Sequence, residues 1–547
     1  MTVRLAAPAL FLASLLLLPF LNRPLAIDDP LFLREARHAL VDPLHPADFE
    51  QVWNAGDRQK LSQYLLGGTL PAYVLAPVAA LGGREWMAHL YQLMLFSGFV
   101  IASVSVARRL GCDPRQANVV GLLVATNPVS LAMAATCMPD VMAAMFAMAG
   151  LDRLLLFREE RRWGAGLAAG LAAGLLLAAA VLCRASTAPL VLVAALLVMP
   201  AAWKRAAHYL WPLAVAAVAI AVFAGLNRGG AAHASVGAAF QALTAARNVP
   251  RNLVAFLCFQ ALTGPILVYA LLSRGAKFAG AVAALVALGV ALSRVTASAN
   301  LVLYAVPAAL GICLVWAAVG VVRGIRHAAP SAAVPPGGSA TAAEGRRFAI
   351  VWPLVVWLGA GLVALPYVHM AAKYLLPGVP AAALLVAFHA ARAGQRRYPL
   401  TVALLIALGW STGALIVIGD TTLANSQRQA VDRLIAPRVR RGLHVWAAGQ
   451  WTFLAYAEDA GAHALANTPP LPGPGDYLVV SRLGYYGKLD RLPFRRELLN
   501  TAPDRRCGVF VLNRHLGAGF YSIRFGYLPF AIGCAEVDAY DLYRVLP

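Results

Sequence analysis

The sequence predicts a polytopic α-helical membrane protein of about 13 transmembrane helices, by the length a bilayer core requires, with a small extracytoplasmic α/β domain at the C-terminus. Three observations lead there. The 547 residues are 60% hydrophobic and only 13% charged, about half the charged share of a soluble domain. Apolar runs long enough to cross a bilayer recur from Leu5 to Gly419. Beyond Asp420 the apolar runs shorten and are bounded by turn-forming residues, as in small strands.

The runs are Leu5–Leu21, Trp86–Ala107, Ala117–Ala135, Val141–Phe157, Gly164–Leu182, Thr187–Pro200, Tyr209–Leu226, Leu253–Leu272, Phe278–Leu292, Leu301–Val322, Ala349–Pro366, Tyr374–Ala391 and Pro399–Gly419. Every second connection is basic. Arg108, Arg109 and Arg115 follow the second run, Arg158, Arg161 and Arg162 the fourth, and Lys204 and Arg205 the sixth. Arg274 and Lys277 follow the eighth, Arg323, Arg326, Arg346 and Arg347 the tenth, and Arg392, Arg396 and Arg397 the twelfth. Basic loops stay cytoplasmic, so the other loops and everything after Asp420 are expected outside. The net charge of +21 is then an orientation signal, and no nucleic-acid-binding module is legible. The first run is long, and Pro24 interrupts the small-residue pattern of a cleavage site, so it reads as a span rather than a signal peptide.

Residues 1–419 thus form the transmembrane region, with residues 22–85 as the first extracytoplasmic loop. "HAAPSAAVPPGGSATAAEGRR", residues 327–347, can bury little and reads as a flexible cytoplasmic linker. Residues 420–547 are expected to be the extracytoplasmic domain. There "LHVWAAG", "DYLVVS", "CGVFVLN" and "YDLYRV" have strand composition, and "TFLAYAEDAG" reads as a short helix stopped by Gly461. Cys112, Cys137, Cys183, Cys258 and Cys313 lie in or beside spans without metal-ligand spacing and read as packing residues. Cys507 and Cys534 share the outer domain, where an oxidising exterior permits a disulfide; spacing alone leaves that pairing open.

Acids at a membrane boundary mark candidate chemistry. Asp28 and Asp29 follow the first run in "PLAIDDPLFLREARHAL", and Asp140 opens the fourth span in "MPDVMAAMFAM", on the same expected side. Asp29 precedes Pro30 and can cap a helix starting there, which leaves Asp28 for another role. Asp140 can also simply favour a helix start. Cations gather on the expected outer face: Arg184, Arg228, Arg247, Arg251, Arg294, His369 and Lys373. They run against the orientation bias and suit a phosphate held beside the carboxylates. Of these, Arg184, His369 and Lys373 are the candidate phosphate ligands. The chain has no phosphate-binding GxxxxGK[ST] loop, no HExxH and no paired-cysteine zinc spacing, so no metal ligand and no cofactor is expected from the residues.

The motifs together resemble the GT-C superfamily of membrane glycosyltransferases, in particular protein O-mannosyltransferases and the lipid A aminoarabinose transferase. "IDDPLFLREARHAL" resembles the family's first-loop motif, with Asp28 at the essential acid, Asp29 at the usual Glu and Phe32 at the usual Tyr. "MPDVMAAMFAM" resembles the second Asp-containing helix start, and "KYLLPGVPAAALL" a late Arg-Tyr-x-x-Pro-x-x-Pro helix, with Lys373 in place of Arg. A Lys-Pro-Pro-Leu element common in the family is replaced by "GGTLPAYVLAP", and Lys60 lies upstream of it. The resemblance implies an inverting transferase in a bacterial inner membrane, a polyprenyl-phosphate-linked sugar donor, and a lipid, glycan or protein acceptor on the extracytoplasmic face. Asp28, Asp140 and Asp29 would be the catalytic acids. Some family members use a divalent metal and others do not. A lipid-linked sugar transporter or flippase is the alternative, although transporters place charges nearer the midplane and in repeated halves.

Overall fold

In the computed structural model, the described residues are 2–53, 57–64, 68–160, 162–198, 206–226, 246–274, 278–285, 287, 299–327, 350–392, 398–485 and 492–547. The linker 327–347 lies outside them except for its first residue, as do Arg228 and Arg294.

Apolar composition dictates helices, because backbone polar groups in lipid must be paired within their own segment. Among the described residues six helices are long and apolar enough to cross a membrane: Thr2–Phe20, Glu85–Arg109, Gly164–Cys183, Ala305–Ile325, Ala372–Ala390 and Tyr398–Val439. Two bent pairs, Pro114–Ala125 with Pro128–Ala134 and Val249–Thr263 with Pro265–Ser273, raise the number to eight if each pair is one span. Both bends fall at a proline, which lacks the amide a continuous helix needs. The expected runs Ala117–Ala135 and Leu253–Leu272 are therefore broken helices, and several other expected runs are shorter apolar helices. The chain is a mostly helical, multi-pass membrane protein.

The elements that position the site are few. Helix α1 (Thr2–Leu17) is followed by a turn into α2 (Asp29–Ala39), which lies beside the bundle. Helix α3 (Glu85–Arg109) packs on α4 (Pro139–Glu159), and α4 packs along α5 (Trp163–Cys183). Small residues set the approach of α5 to the next helix. A Cβ on Gly174 would stand 2.4 Å from the Pro212 carbonyl oxygen and 2.8 Å from Val215 Cβ, so only glycine fits that contact. A 3₁₀ segment, Ala372–Gly378, leads into α6 (Val379–Arg392), and α7 (Tyr398–Ala430) carries the chain through Asp420 without a break.

The C-terminal part forms a five-stranded sheet. Strands β1 (Glu50–Trp53) and β2 (Asp57–Lys60) make a separate hairpin in the first loop. The main sheet has β3 (Val445–Ala448), β4 (His463–Ala464) and β5 (Tyr477–Ser481), then β6 (Arg496–Phe510), and lastly β9 (Ala531–Val545), beyond a small pair β7 (Leu512–Asn513) and β8 (Ala518–Gly519). Its order is β4-β3-β5-β9-β6, parallel on one side and antiparallel on the other. Helix α8 (Trp451–Asp459) crosses from β3 to β4, where the sequence composition placed it. The four strand motifs fall in β3, β5, β6 with β7, and β9. Cys507 and Cys534 face each other in the β6–β9 ribbon and form a disulfide.

This part packs on the membrane region directly. Phe510, Phe520 and Tyr521 share one apolar core with the bundle helices. Arg23, between α1 and α2, pairs with Asp420 of α7 at 2.9 Å, both side chains almost wholly buried. Leu25 donates its amide to the Tyr456 hydroxyl, and its carbonyl accepts from the Thr452 hydroxyl of α8; Arg34 of α2 meets Glu458 at 2.5 Å.

Candidate active site

The segment between α1 and α2 has little freedom. Its ends are tied by the Leu25 bonds and by the Asp29 amide on the Ala26 carbonyl. Between them Ile27 takes φ 48°, the left-handed region that a β-branched residue rarely occupies. Such a conformation costs on the order of 1–3 kcal/mol and persists only where the surroundings impose it. It directly precedes Asp28 and aims that residue away from the interior.

Asp28 is the residue just before α2, and its side chain makes no capping bond. Its carboxylate lies 3.5 Å from the Lys373 ammonium and is about a quarter exposed. Asp29 behaves differently from the expectation that it caps a helix from Pro30. The helix begins one residue earlier, at Asp29 itself, and the Asp29 side chain turns inward. It is fully buried and accepts the amides of Ala26 at 3.0 Å and Cys137 at 2.7 Å. The two adjacent acids therefore point to opposite sides of one backbone segment. Burial pushes the Asp29 carboxyl up to about 7, against the nearby Arg23 and the two amides, which lower it.

Asp140 sits in the first turn of α4, where the helix end favours a negative charge. It is buried and accepts from Arg184 Nη1 at 3.0 Å. Arg184 ends α5 in extended backbone and lies over the Tyr374 ring, 5.1 Å from its centroid. Asp28, Asp140, Tyr367 and Tyr374 all act electrostatically on Arg184, so the two acid–cation pairs belong to one constellation. Tyr367 and Tyr374 stack across it with centroids 6.1 Å apart.

The 3₁₀ segment that carries Lys373 is held by backbone and side-chain bonds. Trp357 Nε1 donates to the Pro377 carbonyl at 2.7 Å. The C-terminal loop clasps the segment from the other side, with Ala372 N on the Phe520 carbonyl at 2.7 Å and Ile523 N on the Met370 carbonyl at 3.1 Å. That loop is tight: a Cβ on Gly519 would stand 2.1 Å from the Gly526 carbonyl oxygen. It delivers Tyr521, whose ring centre is 6.0 Å from Lys373 Nζ, and Arg524.

His369 is half-buried among cations. Burial, together with Arg524, Lys373, Arg251 and Arg184, pushes its imidazole down to about 4, so it is neutral near pH 7. Four permanent cations thus surround His369, and two of them, Lys373 and Arg184, pair with Asp28 and Asp140. An excess of positive charge in a partly desolvated place attracts anions, phosphate among them.

The structure brings Asp28, Asp140, Arg184, His369 and Lys373 together and leaves Asp29 behind them. Arg251 joins the group through its bond to the Val368 carbonyl at 2.6 Å. Lys60 pairs with Asp48 at 2.8 Å in the hairpin region. Arg524 and the tyrosine pair were missed by sequence reasoning. The only signal was a lone arginine within the aromatic run "GFYSIRFGYLPF". Among the described residues one group of Asp, His and Cys side chains, Asp29, His89 and Cys137, is close enough to share a metal ion; it lies behind the acids rather than between them.

One comparison bears directly on this geometry. Residues 74–232 match the family model of dolichyl-phosphate-mannose-protein mannosyltransferase. The mannosyltransferase match spans Asp140 and Arg184, the pair at the mouth of α4 and α5, and it meets the resemblance read from the motifs. Three solved structures are similar in outline. The archaeal oligosaccharyltransferase AglB from Archaeoglobus fulgidus has TM-score 0.46 and 12% identity, with 88% of this chain and 69% of that chain covered. ArnT from Cupriavidus metallidurans, bound to undecaprenyl phosphate, has TM-score 0.45 and 14% identity, with 91% and 96% covered. The arabinofuranosyltransferase AftD from Mycobacteria has TM-score 0.43 and 16% identity, with 100% and 40% covered. No curated protein matches the chain.

Proposed function

We propose that this protein is an inverting glycosyltransferase that moves a sugar from a polyprenyl-phosphate donor to a hydroxyl acceptor. The observation that carries the reading is the convergence, from six separate stretches of chain, of Asp28 and Asp140 with Arg184, Arg251, Lys373 and Arg524. The mannosyltransferase match over Asp140 and Arg184 supports a donor in which the sugar is carried on a lipid phosphate.

In the proposed step the acceptor oxygen attacks the anomeric carbon from the face opposite the phosphate. Asp28 takes the hydroxyl proton as the new C–O bond forms. The bond from the anomeric carbon to the phosphate oxygen breaks, and its electrons stay on the departing lipid phosphate. Arg184 and Lys373 stabilise that charge, which is larger on the leaving phosphate than on the bound diester. Asp28 and Lys373 hold each other in the resting site; a phosphate would draw Lys373 away and free the base. Asp140 orients Arg184. Asp29 takes no part in proton transfer, because it is buried and already engaged by two amides.

The alternating basic loops favour the extracytoplasmic face of a bacterial inner membrane, with the C-terminal sheet outside. The acceptor is a lipid, glycan or protein of the envelope. The test uses purified protein in detergent with a panel of polyprenyl-phosphate sugars, followed by mass spectrometry. A transferase releases polyprenyl phosphate and yields a product of inverted anomeric configuration. Movement of intact donor across proteoliposomes without release would favour the flippase instead.

A further inference from the structure

Behind Asp28, three side chains from three parts of the chain meet. Asp29 opens α2, His89 lies in α3, and Cys137 precedes α4; all three are buried. One ligand atom from each lies within 4.8 Å of the others. His89 Nδ1 is 2.9 Å from the Leu21 carbonyl oxygen. A carbonyl only accepts, so Nδ1 carries the proton and Nε2 holds a lone pair. That Nε2 is buried and has no hydrogen-bond partner, although an unsatisfied buried acceptor costs about 1–3 kcal/mol. Each Asp29 oxygen accepts one amide and keeps a second lone pair.

We propose that Asp29, His89 and Cys137 form a binding site for a thiophilic divalent cation, with zinc as the best match. The donor set decides the class. Magnesium and calcium take oxygen ligands, whereas carboxylate, imidazole and thiolate together suit zinc. The Leu21 carbonyl fixes the imidazole tautomer, as an outer-shell acceptor does at histidine metal sites. Binding displaces the Cys137 thiol proton to solvent, and the thiolate and carboxylate charges balance the ion. Arg23, the nearest permanent cation, is already matched by Asp420 at 2.9 Å, with the Tyr521 phenol beside that pair.

The site is separate from the phosphate-facing cations and does not depend on the transferase reading. It ties the first loop to α3 and to the start of α4. Asp29 is next to Asp28, and Cys137 is three residues before Asp140. The ion would therefore fix the backbone behind both acids without touching a substrate.

The test is metal content and spectrum, measured on full-length, tag-free protein in detergent. After equilibration with zinc and gel filtration, wild type should retain close to one zinc per chain. Cys137→Ser and His89→Gln should each lose most of it while eluting as the same monodisperse species. Cobalt-loaded protein should show a thiolate-to-cobalt charge-transfer band. That band should persist in a chain with Cys112, Cys183, Cys258 and Cys313 all replaced by alanine, so the thiolate is identified even if the single variants fold poorly. Zinc-free wild type, a cobalt spectrum without the thiolate band, or unchanged zinc in both single variants would overturn the proposal.

Discussion

Lys373 and Arg184 are both cations beside a carboxylate, yet the burial of the partner acids gives them different work. Lys373 faces a partly exposed acid at 3.5 Å, whereas Arg184 makes a close bond to an almost wholly buried one. Lys373→Met should raise the KM for donor by roughly 10–100-fold, the range of a lost charge-assisted phosphate contact of about 1.5–3 kcal/mol, and leave thermal stability nearly unchanged. Steady-state kinetics with melting curves checks both halves. Arg184→Gln should also lower stability, since an orphaned buried carboxylate costs about 3–5 kcal/mol. Adding Asp140→Asn should restore much of that stability but not transfer, a coupling that a double-mutant cycle measures. Asp28, Asp140 and Lys373 were legible in sequence because each is a charge set against an apolar run. The fate of Asp29 was not. Its partner amide belongs to Cys137, 108 residues away, and a helix boundary shifted by one residue is below the resolution of sequence signals. Arg524 was illegible because its role comes from a loop folding back on Met370 and Ala372.

At the scale of single elements, the turn before α2 holds strain that the packing of Leu25 and Asp29 imposes. Ile27→Gly fits φ 48° without steric strain, although it gives up the buried Ile27 side chain. It should loosen Asp28, so kcat should fall while KM for donor holds. Unchanged kcat would mean that the strain does not aim the acid. The sheet elements carry a separate pH signature. Burial pushes the Asp538 carboxyl up to about 6, against bonds from the Ser481 hydroxyl and the Leu483 and Ala539 amides. Between its unfolded value near 3.8 and about 6, the unfolded chain has released a proton that the folded one retains. This group therefore lowers stability as pH rises through that window. Melting temperatures from pH 4 to 7 should fall more steeply for wild type than for Asp538→Asn. The β6–β9 ribbon was legible only at its ends, "CGVFVLN" and "YDLYRV". Its middle holds Pro503 and many charges, which local propensity reads against a strand, and the long cross-strand register overrides that preference. The Cys507–Cys534 bridge in that ribbon should protect both thiols from alkylation until reductant is added.

Across the whole molecule, the loop between β8 and β9 folds back on a cluster whose acids come from the turn before α2 and from the first turn of α4. Composition made the membrane class plain, since lipid forces apolar runs into helices. It overstated the regularity of those runs, because proline bends at Asn127–Pro128 and Gly264–Pro265 cannot be told from continuous spans by hydropathy. The proposed topology puts Asn500 outside and Ser339 in the cytoplasm. Cysteines placed at those positions should be labelled by an impermeant reagent only at Asn500 in intact cells; the reverse pattern would move Asp28 to the cytoplasmic side. The most direct test of the central claim compares purified wild type with Asp28→Asn, supplied with a polyprenyl-phosphate sugar that wild type consumes and its acceptor. Release of polyprenyl phosphate should fall by roughly 10²-fold or more, the share a positioned base supplies, with donor affinity and elution profile retained. Near-normal turnover by Asp28→Asn would contradict the assignment of Asp28 as the base.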